Sequence, residues 1–126
     1  MTINTFILAM MVLSFASTRP LLMEEVAFLM RLKPGTAQEY ERRHAELWPE
    51  LAAALSTAGI HDYSIYLEPG TGWLFGVQKR HAGHTTNQLP TLPIMRKWWQ
   101  YMADLMETNP DDSPVVQPLQ RVFHHD

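Results

Sequence analysis

Tyr40 and His44 stand four residues apart in a stretch that also carries Leu47, Leu51, Leu55 and Ala58 at steps of three and four. On a helix this spacing puts the tyrosine and the histidine on one face, one turn from each other. The leucines share that face, so it points at a core and not at water. A histidine there is enclosed, and an ordinary imidazole pKa of about 6.5 lets it give and take protons near neutral pH. Spacing alone favours the plainer use, a packed histidine satisfied by one hydrogen bond, because buried histidines are common and proton-transfer ones are few.

Trp98 and Trp99 are the next pair with chemical content. Aromatic planes suit the C–H faces of sugars, and an indole N–H can hold a hydroxyl. On a helix adjacent residues point about 100° apart, so one of the two is expected in the core. Tyr63 faces the same way as Ile65 and Leu67, which ordinary strand packing would also explain. His81 and His84 lack the helical context and the acidic third ligand of a convincing metal site. His124 and His125 are terminal and read as a solvated tail. Arg42 and Arg43 are expected on the exposed side of the helix. No phosphate-binding glycine loop and no nucleophile elbow is present.

These side chains need elements to hold them. Val26 to Leu32 is a compact apolar run that reads as a strand, ended by Pro34-Gly35. Thr36 and Glu39 have the spacing of a capping box for the helix that follows, and Gly59 is placed to stop it. Pro49 should kink that helix or start a second segment. Asp62 to Leu67 alternates as a half-buried strand, Glu68-Pro69-Gly70-Thr71-Gly72 supplies a turn, and Trp73 to Gln78 completes a hairpin. Residues 79–93 are poorly legible, with Gly83, Pro90 and Pro93 arguing against a long helix. Met95, Trp98, Met102 and Leu105 mark a second helix after Pro93. Asn109 to Pro114 breaks it, and Val115 to Phe123 is expected to hold a last strand. The order β-α-β-β-α-β predicts an α+β ferredoxin-like split arrangement, with both helices on one face of an antiparallel sheet. Its other face is left bare, which predicts a dimer.

At 126 residues the chain fits one domain, small enough for a partner subunit to complete its core. A net charge of −3 offers no basic surface for nucleic acid and no polybasic patch for acidic lipid. Without cysteine, thiol catalysis, disulfides and zinc–thiolate sites are excluded. Phe6 to Phe15 is apolar but shorter than the ~20 residues a spanning helix needs. No Lys or Arg precedes it, as a secretory signal would require. Residues 1–22 are therefore expected to be an extension from an early-assigned start, with a signal or anchor cleaved near Ala16-Ser17-Thr18, or a structured extension, as the lesser alternatives. Met23 is then the working initiator, and 23–126 is the single domain.

Four segments resemble the L-rhamnose mutarotase family: EYERRHAELWPEL (39–51), HDYSIYL (61–67), KWWQYMADLM (97–106) and NPDDSPV (109–115). They occur in the family's order, and Met23 falls where its members usually begin. The resemblance implies a dimeric α+β barrel of ferredoxin-like subunits, cytoplasmic, acting on L-rhamnose without metal or organic cofactor. It implies an isomerase that interconverts the sugar's anomers by opening and closing the ring. His44 matches the family's proton donor, and Tyr40, Tyr63, Trp98 and Trp99 match its sugar-binding positions. The partner base is left open between a tyrosine, a water and a carboxylate such as Glu46 or Asp62. The range of sugars and the preferred anomer are not readable, and residues 79–93 depart from the family's pattern. Two rivals stand beside this reading: a ferredoxin-like dimeric monooxygenase, and a non-catalytic sugar-binding module.

Overall fold

A computed structural model describes residues 22–126. The expectation about residues 1–22 therefore falls, but for Leu22, outside the described residues. Four strands form one antiparallel sheet: β1 (Met23–Arg31), β2 (Ile60–Leu67), β3 (Trp73–His81) and the short β4 (Gln117–Pro118), in the order β2-β3-β1-β4. Three helices accompany them: α1 (Ala37–Ala45), α2 (Pro49–Thr57) and α3 (Pro93–Met102). This is the ferredoxin-like arrangement, with β1 and β3 at the centre.

Register decides which side chains meet the helices. Met30, Leu74 and Leu67 form one rung, Phe28, Gly76 and Ile65 the next, and Val26 faces Gln78 on a third. These residues pack with Tyr40, Leu51, Met95, Trp98 and Met102 from the helices in a single core. Between His61 and Ser64 the β2–β3 register slips by one residue, and Asp62 there takes a positive φ of 47°. The extra residue keeps both Ile60 and Tyr63 on the inner face, which strict alternation could not do. Gly76 leaves room on the same face. A Cβ there would lie 2.5 Å from the Phe28 ring.

Pro49 starts a new helix instead of kinking a long one. It occupies the first turn of α2, where its missing N–H costs nothing. The capping box expected at Thr36 is not made. The Thr36 hydroxyl lies 2.8 Å from both the Lys33 and Leu105 carbonyls, between which its one proton is shared, and Glu39 is engaged by Arg42 and Arg43. Thr36 thus ties the start of α1 to the end of the chain segment after α3. Gly59 ends α2 at φ 96°, a conformation that favours glycine.

Two expectations need correction. The second strand of the hairpin runs three residues past Gln78, to His81, and residues 86–91 form a 3₁₀ turn. The last strand is far shorter than Val115 to Phe123. Only Gln117 and Pro118 pair, with Leu29 and Phe28. Pro114 and Pro118 have no N–H to donate, so this edge cannot carry a long ladder. Beyond it, Leu119 N–H reaches the Ala27 carbonyl at 2.9 Å, and Arg121 pairs with Glu25 at 3.2 Å.

Candidate functional site

A cavity of about 1210 Å³ lies between the inner face of the sheet and the helices. His44, Tyr40, Tyr63, Trp98 and Trp99 all line it. They come from α1, β2 and α3, and the four-residue spacing on α1 puts His44 on the same face as buried Tyr40.

The hydrogen bonds of His44 fix its chemistry. Its Nδ1 lies 3.0 Å from the Tyr40 carbonyl, an acceptor only, so Nδ1 carries the proton and donates. Nε2 is left as the nitrogen that can take a proton from a molecule in the cavity. Burial lowers the His44 pKa from its ordinary value, and the Tyr40 carbonyl only partly offsets this. The ring is therefore neutral at pH 7, as a proton acceptor must be. Tyr40 lies over it with ring centroids 4.3 Å apart, and Trp98 meets it edge-on at 5.4 Å and 88°.

Both tyrosines are held in their protonated form. Burial raises Tyr40 well above the ordinary phenol range, and nearby Tyr63 adds to the effect. Burial likewise pushes Tyr63 up to about 12, against the pull of Arg80. At neutral pH each phenol can donate a hydrogen bond, and neither serves as a base. The two candidate carboxylates lie elsewhere. Glu46 is paired with exposed Arg42, and Asp62, on the β2 bulge, is paired with Lys79 at 3.2 Å. Among the cavity's lining residues Glu41 is the one carboxylate, and it is exposed at the rim. Among the described residues no three histidine or carboxylate groups converge as a metal site.

A second layer holds this arrangement. Trp98 contacts Trp48 at 5.1 Å and Tyr101 at 5.8 Å, while Trp48 stacks on Tyr101 at 5.4 Å. Arg43 does not decorate the surface: its side chain is only 13% exposed. Its guanidinium sits 4.4 Å from the Tyr101 ring centroid and donates to Asp104 at 2.8 Å. It thereby clamps α1 to the end of α3, and the clamp holds Asp104 below the usual carboxylate range. Arg42, half exposed, stays at the surface.

Residues 25–125 match the family model described as L-rhamnose mutarotase. The L-rhamnose mutarotase of Acidiphilium cryptum is 59% identical over 102 residues, covering 81% of this chain and 98% of that one. That of Paraburkholderia phytofirmans is 55% identical over 102 residues, 81% of this chain and 95% of the relative. The chain belongs to the L-rhamnose mutarotase family. A crystal structure of an L-rhamnose mutarotase from Formosa agariphila superposes with a TM-score of 0.76 at 43% identity, over 82% of this chain and 99% of that one. The ferredoxin-like fold expected of a rhamnose mutarotase is thus found in both sequence and structure.

Several residues of this cavity were not expected from the sequence. Gln78, Arg80 and His84 all line it. The signal for the first two was present, because Leu74, Gly76, Gln78 and Arg80 alternate along β3 on the inner face. A strand ending at Gln78 leaves out Arg80, and Gln78 itself then reads as a polar residue at a strand end. His84 reaches the cavity through a turn, with its Nδ1 3.0 Å from the Thr86 hydroxyl. No periodicity announces such a placement.

Proposed function

We propose that the protein interconverts the α and β anomers of L-rhamnose, with His44 as its acid/base. The observation that carries this is a neutral histidine with Nδ1 pinned, whose other nitrogen serves a cavity walled by aromatic rings. Nε2 takes the proton from the anomeric hydroxyl. The freed electron pair makes the C1 carbonyl as the bond from C1 to the ring oxygen breaks, and the ring oxygen receives the proton. Rotation about C1–C2 presents the other carbonyl face, and the same transfers in reverse close the ring. Protons and electrons balance with nothing consumed, so a resident cofactor has no task here.

Tyr40 and Tyr63 bind sugar hydroxyls as donors, Trp99 offers an apolar face to the pyranose, and packed Trp98 contributes the part of its ring that borders the cavity. A well-placed acid/base contributes roughly 10² to 10⁴ in rate. That is enough for a reaction that already runs slowly in water. Saturation-transfer NMR on L-rhamnose tests the reading. Exchange between the two anomeric proton signals should rise in proportion to protein concentration. Binding of the sugar without faster exchange would favour the non-catalytic module instead. Family membership gives the monooxygenase reading no support.

We also infer a homodimer, working in the cytoplasm with a sugar as its partner and neither nucleic acid nor membrane. Among the described residues no helix is long and apolar enough to cross a membrane. The outer sheet face carries Leu29, Phe75 and Tyr66 on one rung, with Ala27 and Val77 beside them. Phe75 and Tyr66 are exposed in the single subunit. Near the C-terminus Val122 and Phe123 are exposed to 91% and 80%. A second copy covering this face would remove that apolar surface from water. Light scattering should give twice the chain mass at micromolar concentration, and Phe75→Glu should halve it. A stable monomer of the unaltered chain would refute the dimer.

A further inference from the structure

Gln78 is the one buried polar side chain of the described residues, 3% exposed, on the inner face of the central strand. It faces Val26 across the sheet, two positions from Gly76 and four from fully buried Leu74. A primary amide in such a place costs free energy unless its hydrogen bonds are made. Half of them are. Arg80 Nε donates to the Gln78 side-chain oxygen at 2.7 Å, which fixes the orientation of the amide, since only its oxygen can accept. The NH₂ group then points the other way. Among the described residues it has no protein partner, yet it is not sealed from space. Gln78 lines the cavity, which is the open space within reach of its two donors.

We propose that the Gln78 amide is a substrate-binding group, donating to a hydroxyl or ring oxygen of the sugar, with Arg80 as the residue that positions it. The inference rests on the reading of this cavity as a sugar site. Its neighbours support it, for the groups around this end of the cavity form a chain. Tyr40 lies tilted against His44, Tyr63 lies close enough to Tyr40 to raise its phenol, and the charge of Arg80 acts on Tyr63. A pyranose resting between Tyr63 and the tryptophans would present one edge to His44 and another to Gln78. Gln78 thus supplies what the aromatic walls lack, a directional donor that distinguishes an oxygen from a hydrogen on the ring. That makes it a residue for specificity among sugars.

The experiment uses the full chain and L-rhamnose. First, the Gln78 side-chain amide signals in a ¹⁵N-labelled sample should shift on adding rhamnose and saturate with the curve that the exchange rate follows. Second, Gln78→Glu keeps the shape and the acceptor facing Arg80 but removes the donors. It should raise KM for anomer exchange by about tenfold, with kcat less affected and thermal stability kept. Gln78→Met serves as the second variant and should give a similar KM. In a series of monodeoxy rhamnoses, one member should lose its discrimination between wild type and Gln78→Glu, naming the oxygen that is held. An amide signal unmoved by saturating rhamnose, or variants with wild-type KM, would overturn the proposal and leave Gln78 as a brace for Arg80. Absence of any exchange by the wild type would instead strike the mutarotase reading, a separately recorded outcome.

Discussion

Trp98→Ala should destabilise the protein by about 3–5 kcal/mol, while Trp99→Ala should cost far less and weaken rhamnose binding roughly tenfold. The two tryptophans are adjacent, but the 100° step between them separates their duties. Trp98 is 7% exposed and packs edge-on against both His44 and Trp48. Removing it opens a void under α3 and takes away the wall that holds His44 in place. Exchange should therefore fall as well as stability. Trp99 is only partly buried against the core and lines the cavity, so its ring is available to a sugar face. Chemical denaturation and rhamnose titration on both variants would separate these outcomes. Equal losses of stability with unchanged binding by the folded fraction would make both residues structural.

The larger functional loss is expected at His44. His44→Asn keeps much of the ring's volume and a donor for the Tyr40 carbonyl, but no group that titrates near neutrality. Anomer exchange should fall by roughly 10² or more while the fold survives, as NMR exchange and calorimetry on one sample would show. Two phenols with raised pKa values are poorly suited to take over the base, and Glu46 and Asp62 are held outside. The same burial links His44 to stability. Its folded-state pKa lies below the unfolded value of about 6.5, so the unfolded chain binds more protons as pH falls through that region. The sign follows: neutral burial of His44 costs nothing at pH 7 and destabilises progressively as pH drops below about 6.5. His44→Asn should remove that contribution.

The sequence carried most of the site because helical and strand periodicities place side chains on faces. Tyr40 and His44 share a face through their four-residue spacing, and Tyr63, Ile65 and Leu67 share one through alternation. The β2 bulge at Asp62 did not disturb this, since it lies before Tyr63. What stayed hidden depended on contacts between distant segments. Arg43 and Arg42 are neighbours in sequence with the same charge, yet one spans to Asp104 and the other meets water, and only the position of α3 decides which. The Thr36–Glu39 spacing fits a capping box, but the arginines one turn later take the glutamate and the Leu105 carbonyl takes the threonine hydroxyl. The C-terminal stretch is apolar enough for a strand, while its prolines leave too few donors for one. Arg80 lies just past the expected strand end at Gln78, at the boundary of an element, where periodicity is weakest.

The central claim is that a neutral His44 moves the proton through Nε2. The pH dependence of L-rhamnose exchange, measured by saturation-transfer NMR on wild type and His44→Asn together, tests it most directly. The wild-type rate should fall on the acid side with a midpoint below the ordinary histidine value of about 6.5. The imidazole signals of His44 should titrate with the same midpoint. The variant should show a rate at least about 10² lower with that acid limb gone. A well-folded His44→Asn protein with near wild-type exchange and an unchanged pH profile would contradict the account, and would leave His44 as a packed core side chain.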